Sequence, residues 1–209
     1  MKTILCYGDS NTWGWNPVNQ TRYAMNERWP GVMRAELGAD YLVIEEGLNG
    51  RTTVWDDPIE GYKNGSTYLV PCLETHRPLD LVIIMLGTND LKKRFSVSAF
   101  DIANGAGVLV DIVQKSIAGP DGQAPAVLLI CPPPVATLVD DFAEMFEGAE
   151  EKSRRLAKHY ARVAQERGCA FFDAGTVIVS SAIDGIHLEP GEHQKLGKAV
   201  AAHVRALVG

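Results

Sequence analysis

The sequence lacks the marks of several large functional classes. It has only four cysteines, and Cys6, Cys72, Cys131 and Cys169 show no Cys-x-x-Cys spacing, which excludes a paired-thiol metal or redox motif. Three of them fall at buried strand candidates, so all four read as reduced core residues of a cytoplasmic protein. No stretch approaches the roughly 20 apolar residues that a membrane-spanning helix needs, and Gly8-Asp9 cuts the apolar start too short for a signal peptide. The 20 lysines and arginines are scattered and the net charge is −6, leaving no basic stripe to neutralise nucleic-acid phosphates. Neither Gly-x-Gly-x-x-Gly nor Gly-x-x-x-x-Gly-Lys-Ser/Thr occurs, so the glycine signatures of nucleotide sites are missing. Asp56-Asp57 alone cannot hold a metal, and neither a metal nor an organic cofactor is expected.

What is present is a chain of 209 residues, 46% of them hydrophobic, long enough for one globular domain over residues 1–209. Short apolar runs at Thr3 to Tyr7, Tyr41 to Glu45, Leu79 to Leu86, Ala126 to Cys131 and Ala170 to Phe172 predict five strands. Helical patterns separate them. Ile102, Ala106, Leu109, Val113 and Ile117 share one helix face, as do Leu196, Val200, Val204 and Leu207. Strands apolar on both faces, such as Leu81 to Leu86, belong inside a parallel sheet covered by helices. The expected fold is therefore α/β, a three-layer α/β/α sandwich around a central five-stranded parallel sheet. Asn16 to Asn26 and Arg51 to Gly65 read as long loops of the kind that shape a site.

Each strand candidate near the expected site ends in an unusual way. The first runs into Gly8-Asp9-Ser10, the second into Gly47-Leu48-Asn49-Gly50 and the third into Gly87-Thr88-Asn89-Asp90, while Asp184-Gly185-Ile186-His187 precedes the last helix. A parallel sheet brings such segments to one edge. Together they supply what acyl transfer needs, namely a nucleophile, oxyanion donors and an oriented base. Ser10 is the candidate nucleophile and His187 its base, with Asp184, three residues earlier, orienting the ring through Nδ1. The Ser10 and Gly50 backbone N–H groups and the Asn89 amide are the candidate oxyanion hole. Taken singly, Gly50 is a turn glycine and Asn89 a capping residue; the alignment of strand ends is what favours the joint reading.

The other histidines read differently. His159 and His203 fall on polar helix faces, His76 is a cationic cap at a helix end, and His193 is a solvated residue without an acidic partner. Asp9 is assigned to bonding nearby backbone N–H groups. Trp13 and Trp15 follow the nucleophile at alternate positions, so at least one of them walls the acyl or alcohol pocket, packing of the core or a subunit contact being an equal use for a tryptophan. Ile186 and Phe142 or Phe146 are further lining candidates.

These four segments resemble, in order, the blocks of the SGNH (GDSL) hydrolase family. The similarity extends to its bacterial arylesterase and acyltransferase branch in Gly8 to Trp15, Glu45 to Thr53, Asp80 to Asp90 and Phe146 to Lys152. The resemblance implies a flavodoxin-like fold and metal-free ester hydrolysis, with Ser10, Asp184 and His187 as triad and Gly50 and Asn89 as oxyanion donors. It also implies short-chain acyl substrates, acyl transfer to alcohols in some members, and homo-oligomers up to octamers. The lack of a long apolar lid segment and the polar, aromatic-studded loops point to a short acyl group such as acetyl, with aryl acetates and acetylated sugars as the expected substrate classes. Asn11 stands where the family name has Leu, and Asn49 where relatives often have Ser. A general α/β-hydrolase is disfavoured, because its Gly-x-Ser-x-Gly elbow is missed by one residue and follows several strands. The alternative from another class is a flavodoxin-like flavin- or nucleotide-binding module without hydrolase activity.

Overall fold

Seven residues, Lys2–Gly8, form the central strand β1, and Ile4 through Tyr7 are buried without the alternation of a one-sided sheet. In the computed structural model, which describes residues 1–209, β1 is flanked on one side by β4 (Tyr41–Gly47) and on the other by β5 (Leu81–Met85). Strands β6 (Ala126–Cys131) and β7 (Ala170–Asp173) continue outward in the order β4-β1-β5-β6-β7, and every pairing is parallel. All five expected strands are present. The third is trimmed at both ends, since Leu79 and Leu86 are buried flanking residues outside it.

Side chains from alternate positions of the sheet enter two separate cores. On one face Leu5, Val82, Ile84 and Leu129 pack against α3 (Gly65–His76), α4 (Ala99–Gln114) and α7 (Leu156–Arg167). On the other Ile4, Ile83 and Ile130 meet α2 (Trp29–Leu37) and α8 (Pro190–Val208). The result is the expected α/β/α sandwich. Helix α4 begins at a capping box, in which the Ser98 hydroxyl accepts the Asp101 N–H and the Asp101 carboxylate accepts the Ser98 N–H. It stops at Gln114, so Ile117 lies beyond the helix and is exposed; the loop that follows removes it from the face formed by Ile102 to Val113. Leu207 likewise is exposed, because the buried stripe of Leu196, Val200 and Val204 continues four residues on at Val208, which packs against the same core. Of the cysteines, Cys6 and Cys131 lie in strands, Cys72 in α3, and Cys169 is half-buried just before β7.

The remaining elements sit at the carboxyl ends of the strands. A single helical turn α1 (Ser10–Trp13) follows β1, and the expected loop after it holds a small hairpin, β2 (Trp15–Asn16) and β3 (Thr21–Arg22). Residues 51–64 form an irregular loop closed by one bridge between Thr52 and Asn64. Short helices α5 (Asp140–Met145) and α6 (Ala149–Ser153) lie beyond Pro132-Pro133-Pro134. No helix is long and apolar enough to cross a membrane.

Candidate active site

In the strand order found here the direction of winding reverses between β1 and β5, which is where an open α/β sheet has its binding crevice. The register makes the crevice level: Gly8 of β1 pairs with both Gly47 of β4 and Met85 of β5. Gly47 must be glycine for the layers to meet, since a Cβ there would fall 2.2 Å from the Trp13 nitrogen.

Ser10 opens α1, and Asp9 caps that turn by accepting the Asn11 N–H at 2.9 Å. Asp9 thus has the backbone-bonding part expected of it; burial pushes its pKa up to about 6 against that bond. The Ser10 hydroxyl lies 2.9 Å from Nε2 of His187, whose Nδ1 lies 2.6 Å from Oδ2 of Asp184. The other Asp184 oxygen accepts the Ile186 and His187 N–H groups, both at 2.9 Å. Burial works to raise the Asp184 pKa, but the His187 ring and these two amides outweigh it and hold the carboxyl below its usual value. An ionised Asp184 fixes the proton on Nδ1, so Nε2 is the nitrogen that can take a proton from Ser10. Asn11, one of the departures from the family pattern, donates to the Ile186 carbonyl at 3.3 Å and ties the serine turn to the Asp184/His187 loop.

The candidate oxyanion donors gather on the same side. Neither the Ser10 nor the Gly50 N–H is used by a protein acceptor. Asn89 spends one amide hydrogen on the Arg51 carbonyl at 3.1 Å and keeps the other. Gly50 has φ +80° and its α-carbon lies against Glu60, so a side chain would be both strained and obstructed. Arg51 was not singled out from the sequence, yet its Nη1 donates to the carbonyls of Gly8 at 2.8 Å and Glu46 at 2.5 Å. Its guanidinium also stacks 4.1 Å over the Tyr7 ring. Next to Asn89, the buried Asp90 accepts the Thr53 N–H at 3.1 Å and the Thr53 hydroxyl; burial raises its pKa to about 7 in spite of those bonds.

These groups open into a cavity of about 160 Å³ lined by the apolar side chains of Trp15, Phe142, Met145, Phe146 and Ile186 and by the polar ones of Asn49, Glu60 and Lys92. Trp15 and Phe142 flank the His187 ring at 5.7 and 6.1 Å. Trp13 is not on the cavity: it packs behind Trp15 at 6.1 Å, under the Arg22 guanidinium, because the left-handed Gly14 turns the chain between the two rings. Of the sequence candidates, then, Ser10, Gly50, Asn89, Asp184, His187, Trp15 and Ile186 come together and Trp13 does not.

His193 is also not where the sequence reading put it. It is fully buried, Nδ1 accepts the Trp29 N–H at 3.2 Å, and burial lowers its pKa to about 3. His159 and His203 are half-buried against Phe100 and Phe172 rather than free in water. His76 does end α3, and its Nε2 lies 2.8 Å from Glu46 Oε1. With Cys72 these two residues bring potential metal-ligand atoms within 4.8 Å of one another. Burial raises the Cys72 thiol to about 12, and a helix-terminal histidine paired with a carboxylate accounts for the other two.

The model of the GDSL-like lipase/acylhydrolase family matches residues 6–195. Among solved structures the chain is similar to the M. smegmatis aryl esterase, with 48% identity, a TM-score of 0.96 and all of both chains covered. It is similar to a carbohydrate acetylesterase from Sinorhizobium meliloti at 47% identity and a TM-score of 0.96, over 99% of this chain and 100% of that one. A second carbohydrate acetylesterase family member from the same organism is 41% identical, with a TM-score of 0.95 and complete coverage of both chains. Comparison with curated proteins gives no match.

Proposed function

The chain belongs to the GDSL-like lipase/acylhydrolase family and is a carboxylic ester hydrolase, and we propose that it cleaves short-chain, acetyl-type esters through an acyl-enzyme on Ser10. The observation that carries this reading is the unbroken hydrogen-bonded line Ser10–His187–Asp184 beside three available donors. His187 Nε2 takes the Ser10 proton as Oγ attacks the ester carbonyl. The oxyanion is received by the Ser10 and Gly50 N–H groups and the Asn89 amide, each fixed before substrate arrives. His187 then protonates the departing alcohol, and water, or an acceptor alcohol in acyl transfer, attacks the acyl-enzyme with His187 again as base.

The cavity supports the small acyl group. At about 160 Å³ it is below the ~300–1,000 Å³ of sites for drug-sized ligands. Its aromatic wall of Trp15, Phe142 and Phe146 suits an aryl leaving group, and its polar wall suits a sugar. The names of the similar enzymes, an aryl esterase and carbohydrate acetylesterases, support both substrate classes. The flavin- or nucleotide-binding alternative finds no support in the family or in the relatives. A cytoplasmic location is proposed from the four free cysteines. Homo-oligomers up to octamers are proposed from the sequence resemblance, with Ile59 and Tyr62 exposed on the 51–64 loop as contact candidates.

Turnover on p-nitrophenyl esters of graded chain length, with and without an added alcohol, tests the substrate reading. Acetate is expected to exceed octanoate, and alcohol to divert product to the transfer ester; faster octanoate cleavage overturns the small-acyl assignment.

A further inference from the structure

One wall of the Ser10 cavity carries charge that the reaction above leaves unused. The Lys92 side chain is almost wholly buried, with Nζ 2.5 Å from Glu60 Oε1 and 3.7 Å from Asp57 Oδ2. Arg94 Nη2 lies 2.6 Å from the same two carboxylate oxygens. Two cations and two carboxylates cancel. A neutral cluster can stand next to the oxyanion donors without opposing the negative charge that develops there, which an isolated Glu60 would do.

Within this cluster the two oxygens of Glu60 differ. Both basic side chains bind Oε1, and Oε2 receives no protein donor. It also lies against Gly50, where a Cβ would fall 2.5 Å from it, and Gly50 carries one of the candidate oxyanion donors. Glu60 and Lys92 both line the cavity, together with Trp15, Phe142 and Phe146. An ionised carboxylate oxygen is an acceptor only, whereas an ammonium is a donor only and has three hydrogens, of which Glu60 engages one. The wall therefore offers an acceptor and a donor side by side, the complement of a hydroxyl group.

We propose that Glu60 Oε2, with Lys92 beside it, selects esters whose alcohol part carries a free hydroxyl next to the ester oxygen, as in a partly acetylated sugar or other polyol. This rests on the esterase reading and adds the residue that chooses the alcohol. An acetyl group has no O–H or N–H, so only the alcohol half of the substrate can serve Oε2. The apolar wall then faces the C–H surface of the same alcohol.

Two esters of nearly equal size test the assignment, 2-hydroxyethyl acetate and propyl acetate, which differ by a hydroxyl in place of a methyl. The wild-type protein is expected to favour the hydroxylated ester in kcat/KM by about tenfold or more, the lower end of what a hydrogen bond to a charged group contributes. In Glu60→Leu that ratio is expected to fall to about one, and in Glu60→Gln, which keeps the side-chain shape should the leucine variant fail to fold, to fall several-fold. A wild-type ratio near one with both esters cleaved overturns the selection by Glu60 and leaves the esterase reading standing. An unchanged ratio in the folded variants also overturns it. Failure of the wild type to cleave either ester, or p-nitrophenyl acetate, overturns both readings.

Discussion

The side-chain amide of Asn89 donates to the main-chain carbonyl of Arg51 across 3.1 Å, which fastens one candidate oxyanion donor to the loop that carries another. Asn89 leaves β5 and Gly50 leaves β4, two strands that never touch each other in the sheet. The spacing between their donors is set by this bond and not by the strands alone.

Asn89→Ala removes a donor and loosens the Gly50 loop in one change. The expected loss in kcat on p-nitrophenyl acetate is about 10²–10³-fold, with KM changed far less. Steady-state kinetics of the folded variant check it, and a kcat within twofold of wild type would take Asn89 out of the oxyanion hole.

Arg51 joins three strand ends, through its guanidinium bonds to Gly8 and Glu46 and its carbonyl bond from Asn89. Arg51→Lys keeps the charge but loses the planar guanidinium that stacks over Tyr7, and its shorter side chain weakens the bonds that Nη1 makes to the Gly8 and Glu46 carbonyls, at a cost of about 1–3 kcal/mol. The variant is expected to melt at a lower temperature and to lose at least about tenfold in kcat. Arg51 acts here by positioning Gly50, so the variant assayed well below its melting temperature is expected to keep the kcat deficit, and a wild-type kcat there would leave Arg51 a stabilising role alone.

Trp15 and Trp13 should separate in kinetics as they do in space. Trp15→Ala opens the cavity beside His187 and is expected to raise KM for aryl acetates by about tenfold. Trp13→Phe, behind it, is expected to stay within about threefold of wild type. The reverse order of effects would show that Trp13 reaches the substrate.

The parts of the site that sequence made visible are those where chemistry and position coincide. Ser10, Asn89 and the Asp184/His187 pair each follow an apolar run at a strand end or precede the last helix, so a parallel sheet has to bring them to one edge. Glu60, Lys92 and Arg51 were not visible because the 51–64 loop has no period, and only the folded chain shows which of its charges meet Lys92 and Arg94. His193 had a signal that was passed over. It stands three, seven and eleven residues before Leu196, Val200 and Val204, on the buried stripe of α8. The absence of an acidic partner argued against catalysis but not against burial, and the Trp29 N–H is the partner the ring has.

That burial gives a pH signature. With its pKa lowered from 6.5 to about 3 in the fold, His193 binds fewer protons folded than unfolded between those values. Its contribution to stability is complete above pH 6.5 and declines as pH falls toward 3, by up to about 1.4 kcal/mol per pH unit. Asp9 and Asp90, with raised values of about 6 and 7, act in the opposite sense, their stabilising contribution being lost as pH rises through those values. Denaturant unfolding of wild type and His193→Gln at several pH values isolates the histidine: the stability advantage of wild type should shrink from pH 6.5 to pH 4. An advantage independent of pH would mean that the ring protonates freely in the fold.

The account turns on Ser10 as the nucleophile, and its most direct test is the hydrolysis of p-nitrophenyl acetate by folded Ser10→Ala, with mass analysis of the wild-type protein quenched during turnover. The expected result is a loss of about 10⁴-fold or more in kcat, with wild-type acetyl label found on the peptide that contains Ser10. Wild-type turnover by Ser10→Ala, or acetyl label on another residue alone, would contradict it.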